Sequence, residues 1–292
     1  MKAMLRSFID FVEARELMRL CKESGMGPPY SDDSILRDHH FCNINREHDY
    51  VTRWIDAYVR VPCANQSLPF TLKQLAICRA FNEPTVLKLV CPFTDVQTAD
   101  AILRHHQNSD GKIMRGAYMM PPHGSDKAGK DVITYYLRVA NDVGRLVFNP
   151  VPTHLAEVAR ALETVFGLGP FLVNQIIADL RYTGDREWDD WDTFVLCGIG
   201  TRRGLNRYHG LDISASMGDD QAYTDALLNI RHRHLEKFSE TVQEHFRDPN
   251  NLANSFCEYD KYMRAVEQIS TGQRITLRRY KTSTNNSNGN LS

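Results

Sequence analysis

The chain has 292 residues, 42% of them hydrophobic, and a formal net charge of −1. Such a length can build one large domain or two lobes around a real core, while near-neutrality excludes a globally basic nucleic-acid binder, so any nucleic-acid surface must be local and salt-sensitive. No apolar run approaches the roughly eighteen residues of a membrane span, the first thirteen residues carry acids and no cleavage-site pattern, and the seven cysteines are scattered without a C-x-x-C pair; a soluble protein with reduced thiols, free of disulfides, zinc and iron–sulfur clusters, is expected.

Apolar residues recur with a 3.6-residue period along most of the chain and rarely alternate, which predicts an all-α fold. Phe8, Phe11, Val12, Leu17 and Leu20 mark a first amphipathic helix, ended by Gly25 and the Gly27-Pro28-Pro29 break. Further helices are expected around 49–58, 72–81, 94–107, 132–144, 153–165, 170–180, 220–246 and 250–263. Residues 121–126 read as a surface loop and the Asn- and Ser-rich 281–292 as a disordered tail, leaving 1–280 as a single helical domain, in one lobe or two.

Three charged clusters carry candidate chemistry. On a helix beginning near Arg46, residues Arg46, Asp49 and Arg53 share a face. That stripe is either an exposed salt-bridged surface or a pocket in which two arginines fork onto a phosphate and Asp49 orients them or takes a proton. A second cluster joins Trp188-Asp189-Asp190-Trp191-Asp192 to the stretch Gly198 to Arg207, which holds Arg202 and Arg203. The third is Phe256 to Tyr262, followed by the basic end Arg274 to Lys281, where arginines and an interleaved tyrosine suit either a solvated tail or a nucleic-acid backbone.

Between the first two clusters lies Phe166-Gly167-Leu168-Gly169-Pro170-Phe171-Leu172, flanked by apolar-periodic segments. Two glycines permit a tight turn and Pro170 suits the first position of a helix, so the run reads as a helix-hairpin-helix whose amides can hold a backbone phosphate. A plain αα-turn is the competing reading. No lysine follows the second glycine, which argues against a lyase with an amine nucleophile.

Two patterns are set aside. Gly124 to Lys130 has the spacing of a phosphate-binding P-loop, but Asp131 stands where a hydroxyl would hold Mg²⁺. His39-His40, His105-His106 and His232-Arg233-His234 lack metal-ligand spacing and are expected to cap, pack or face solvent.

Taken in order, Phe41 to Asp49 with Thr52-Arg53-Trp54, the Gly167 to Leu172 hairpin with Asp179-Leu180-Arg181-Tyr182-Thr183, Gly200 to Gly204, and Phe256 to Tyr262 resemble the α-glutamyl/putrescinyl-thymine pyrophosphorylase-like family of bacteriophages. These amino acid:DNA transferases form a branch of the helix-hairpin-helix DNA glycosylase-like proteins. The resemblance implies a glycosylase-like helical fold with DNA above the hairpin, and a pathway in which 5-hydroxymethyluracil is phosphorylated by a separate kinase before an amine, commonly that of a free amino acid such as glycine or serine, displaces the phosphate or pyrophosphate. The product protects viral DNA from host restriction. The displacement step needs arginines to stabilise the departing phosphate, for which Arg46, Arg202 and Arg203, with Arg53, are the candidates, and a carboxylate base, Asp49 first and then Asp192 and Asp189; Gly167 and Gly169 would hold a DNA phosphate by their amides, with Arg207 and Arg279 as further backbone contacts. No metal or cofactor is expected. The partners would be double-stranded phage DNA carrying 5-phosphomethyl-deoxyuridine, the amino acid and a 5-hydroxymethyluracil DNA kinase, in the host cell cytoplasm. Lacking the hairpin lysine and cluster cysteines, the chain departs from the glycosylases. A glycosylase acting on a modified pyrimidine and a non-catalytic helical DNA-binding partner of the kinase remain the alternatives.

Overall fold

The computed structural model describes residues 7–109, 111–113 and 131–280, and every regular element among them is helical. A single antiparallel bridge between His39 and Arg279 is the one extended pairing among the described residues. The Gly124 to Lys130 pattern, the loop expected at 121–126 and the tail expected at 281–292 lie outside the described residues.

Short polar side chains start six of the helices. Ser7, Asp33, Asp95, Asp131, Asp219 and Asp248 each accept an amide of the helix that follows: α1 (Phe8–Glu23), α2 (Ser34–Asp38), α7 (Val96–Asn108), α8 (Val132–Val143), α12 (Asp220–His234) and α14 (Pro249–Ser270). Each such cap contributes about 1 kcal/mol. The other helices are α3 (Tyr50–Ile55), α4 (Val61–Cys63), α5 (Leu68–Phe81), α6 (Pro84–Val90), α9 (Leu155–Glu163), α10 (Pro170–Leu180), α11 (Ile199–Tyr208) and α13 (Glu240–His245).

Beyond the short helices α2, α4 and α6, which the periodicity does not mark, the structure departs from the sequence expectation in three further places. Residues 46–53 are not one helix: Arg46–His48 is a 3-10 turn, Asp49 is extended at φ −72 and ψ 138, and α3 begins only at Tyr50. Asn43 holds the Asp49 carboxylate from the N-terminal side, so Asp49 caps a break rather than riding a helical face. The stretch around Arg202 is a full helix, α11. Its glycines are there for packing, since a Cβ on Gly200 would run into the Cys257 sulfur and one on Gly204 into the Phe256 carbonyl of α14. The helix expected over 220–246 breaks at Phe238, which is buried in extended backbone while the Ser239 amide donates to Glu13 Oε1 at 2.7 Å.

Apolar burial is divided between two clusters. One runs from Trp54 to Trp188 and gathers α5, α7, α8, α9 and α10; the other joins Phe8 to Ile44 with Val195 to Ala265, so both ends of the described chain build one core. Side chains such as Phe81, Tyr136, Phe246 and Phe256 are essentially fully buried, each contributing about 1.5–3 kcal/mol. Polar side chains stitch the two together: Arg181 lies 3.3 Å from Asp248, and the Tyr182 hydroxyl donates to Asp248 at 2.8 Å.

Candidate active site

The hairpin predicted from the glycine pair is formed by α9, a turn and α10. Gly167 sits at φ +97, and a Cβ there would meet the Tyr135 hydroxyl and lie 2.9 Å from Val139, so only glycine fits. Gly169 is different: its φ of −81 is ordinary, and nothing stands within 4 Å of where a Cβ would be. The turn is therefore open above α10. Phe166 and Phe171 flank it at 75% and 54% exposure. The amides of Leu172 and Val173 already donate to the Gly169 carbonyl, which removes them from any phosphate grip.

The other end of α10 is closed. Asp179 is buried and receives two hydrogen bonds from the Arg79 guanidinium, 2.6 Å from Nε and 2.5 Å from Nη2. Arg181 donates to the carbonyls of Trp191 and Phe194. Burial and the neighbouring Asp248 push the Tyr182 phenol well above its usual range, so it stays protonated and donates. The Asp179 to Thr183 motif is thus a structural lock.

Arg46 and Asp49 are brought together in a 2.5 Å ion pair across the 3-10 turn. Asp49 Oδ1 also accepts from the Asn43 amide at 3.2 Å and its side chain at 3.0 Å. Arg46 is anchored again through its own amide, which donates to Asn251 Oδ1 at 3.0 Å, while Asn254 reaches the Asn43 carbonyl at 3.4 Å. One step along α14, Glu258 accepts from the Cys42 amide at 2.9 Å and pairs with Lys261 at 3.1 Å. The first and third sequence clusters therefore converge. Burial raises the Cys42 thiol to about 12 and the Cys257 thiol to about 11, so neither supplies a thiolate nucleophile near neutral pH. Arg53 is exposed on α3, on the far side of the break, and joins no ion pair among the described residues.

The acids and arginines of the second cluster have separate duties. Asp190 caps α9, accepting the amides of Leu155 at 2.7 Å and Ala156 at 3.0 Å. Asp189 is exposed and lies 3.7 Å from His154, and Asp192 is exposed with no hydrogen-bond partner among the described residues. Arg202 donates to the Cys197 carbonyl at 2.7 Å, pairs with Asp220 at 2.5 Å and covers the Tyr223 ring, tying α11 to α12. Arg203 is exposed and unpaired among the described residues. Arg207 is held by Asp260 at 2.8 Å and Glu267 at 2.5 Å on α14. Arg279 is exposed beside the bridge to His39. Beside the hairpin, a cleft of about 400 Å³ runs from Pro170, Phe171 and Asn174 past Asp190 and Thr193 to Arg202.

Asn251 and Asn254 were not singled out in the sequence. Two asparagines three apart in the first turns of a predicted helix, where they lower helix propensity, are the one signal that marks them.

The family model for the helical domain of 5-hmdU DNA kinases matches residues 2–271. The chain belongs to that family. Among curated proteins it is similar to a 5-hmdU DNA kinase of Bacillus phage SP10, at 23% identity over 222 residues, 68% of this chain and 35% of the relative. The chain thus spans about a third of the length of that relative. No solved structure gives a significant match. Among the chain's described helices, none is long and apolar enough to cross a membrane.

Proposed function

We infer that this chain is a transferase domain that joins an amino acid of the glycine or serine class to 5-phosphomethyl-deoxyuridine in duplex DNA, with loss of phosphate, protecting the genome from host restriction in the host cell cytoplasm. The observation that carries the reading is Arg46, its guanidinium held by Asp49 and its amide by Asn251, in a chain whose family is the helical domain of 5-hmdU DNA kinases. An arginine fixed in this way is pre-organised for an anion. In the reaction the amine nitrogen bonds to the 5-methylene carbon, the carbon–oxygen bond breaks, and the electron pair leaves with the phosphate. The incoming ammonium must first give a proton to a carboxylate.

Both oxygens of Asp49 are engaged, one by Asn43 and one by Arg46, which suits it to orienting Arg46 more than to accepting a proton. Asp192, exposed and with free lone pairs, is the better base, with Asp189 next. Arg53 and Arg203 are free to reach the departing phosphate; Arg202 would exchange its Asp220 partner for it. Gly167, Gly169 and Arg279 would border the duplex, whereas Arg207 is already committed to α14.

The test is to incubate the protein with DNA carrying 5-phosphomethyl-deoxyuridine and a mixture of amino acids, digest to nucleosides and read masses. A nucleoside heavier than 5-hydroxymethyl-deoxyuridine by one amino acid less water supports the transferase and identifies its donor. A missing base would replace it with a glycosylase. A second reading, a non-catalytic helical partner of a 5-hmdU DNA kinase, is favoured by the relative's name and by the match to only 35% of it. That reading predicts an unchanged nucleoside, tolerance of Asp192→Asn, and loss of function on changing the hairpin tip.

A further inference from the structure

Away from the hairpin, the His39–Arg279 bridge draws together residues from four separate parts of the chain. The His40 amide donates to the Arg278 carbonyl at 2.9 Å, and the His40 ring lies 4.0 Å from that of Tyr280. The Lys22 ammonium of α1 sits 5.2 Å from the Tyr280 ring centre, and the Lys261 ammonium of α14 sits 4.7 Å from that of Phe41. Beneath them Arg15 is 4% exposed. Its guanidinium donates to the carbonyls of Phe41 and Cys42, both at 3.1 Å, and its Nε is buried without a hydrogen-bond partner.

The charges do not balance locally. Among the described residues, Lys22 and Arg278 form no ion pair, and Arg15 has no carboxylate within ion-pair reach. Glu258, the one carboxylate bound to this group, is shared between Lys261 and the Cys42 amide. Asp38, on the other side of the bridge, is paired with Arg37 at 2.8 Å. The His40 imidazole registers the imbalance: burial holds its pKa down, and Arg278, Lys261, Lys22 and Arg15 all push it the same way. A buried guanidinium without a counter-charge is costly, and an anion on the surface above it would relieve that cost.

We propose that Lys22, Lys261 and Arg278, set around His40 and above Arg15, form a contact site for the phosphodiester backbone of DNA, separate from the hairpin. The occupant is nucleic acid because several cations, from α1, α14 and the extended C-terminal segment, act together on His40, as a polyanionic backbone requires, with the Tyr280 ring beside Lys22 to cover a sugar or base. Successive residues of an extended segment face opposite ways. Arg278, and not Arg279, is therefore the arginine aligned with Lys22. The proposal rests on the DNA-acting reading above.

The experiment measures binding of a fluorescently labelled, unmodified 20-base-pair duplex to the full chain across salt concentrations. Each lost phosphate contact lowers the slope of log affinity against log salt by about 0.9, so Lys22→Gln with Arg278→Gln is expected to lower it by about 2. Lys22→Arg should keep the parent slope, as should Arg233→Gln, an exposed cation at the end of α12. Arg278→Gln alone, at an exposed side chain without partners among the described residues, guards against a folding defect and should lower the slope by about 1. Binding with an unchanged slope in both the double and the single variant overturns this site and leaves the DNA-acting reading standing. A parent protein that binds no duplex even at low salt overturns both.

Discussion

The two ends of α10 obey opposite rules. At its C-terminal end nearly every polar group has a buried partner: Asp179 with Arg79, Arg181 with Asp248 and two carbonyls, Tyr182 with Asp248. At its N-terminal end Gly169 faces open space, and Phe166 and Phe171 project their rings into solvent. Both ends belong to one motif when read as sequence. In the folded chain they differ in environment, since the closed end ties the two apolar clusters together and the open end carries exposed aromatic side chains.

The comparison can be broken most severely at the closed end. Asp179→Asn leaves the Arg79 charge buried and unpaired and is expected to cost about 3–5 kcal/mol in chemical denaturation; a loss under about 1 kcal/mol would mean that the lock does not hold the fold. In the mass assay, Asp192→Asn should slow transfer by about 10²–10⁴-fold if that carboxylate is the base, with the melting temperature unchanged because the side chain has no hydrogen-bond partner among the described residues. Equal rates for Asp192→Asn and the parent would return the role to Asp49 or Asp189.

Smaller effects sharpen the contrast. Gly167→Ala forces a side chain into φ +97 and against Tyr135, which should cost about 1–3 kcal/mol. Gly169→Ala meets neither obstacle and should change stability by less than about 1 kcal/mol, so a larger loss would show that the turn above α10 is not open. Phe171→Ala is the smallest change in stability, within about 0.5 kcal/mol, yet it should weaken duplex binding. If duplex affinity is unmoved by that substitution, the open end is not the surface that meets DNA.

Much of the fold was legible from local pattern. The apolar periodicity anticipated α1, α5, α7, α8, α9, α10 and α14, because each presents one face to a core and carries its own caps or breakers. It did not mark α11, whose glycines answer to a neighbour: Gly200 and Gly204 are where α14 approaches. It also joined residues 46–53 into one helix, since the hydrogen bonds that break it come from Asn43 and Asn251, the latter far away in the chain. The three acids of residues 189–192 looked alike, but Asp190 caps α9, Asp189 stands beside His154 and Asp192 is left open.

By itself, then, the amino-acid sequence determined the helical class, the position of the hairpin and the order of the motifs, because those depend on spacing along a single segment. Only the tertiary structure decided which charged groups are already satisfied. Arg46 with Asp49, Arg202 with Asp220 and Arg207 with Asp260 are each paired, while Arg15 lies buried without a carboxylate within ion-pair reach among the described residues. A side chain's availability for chemistry depends on which distant groups reach it first, and that is a property of packing rather than of sequence spacing.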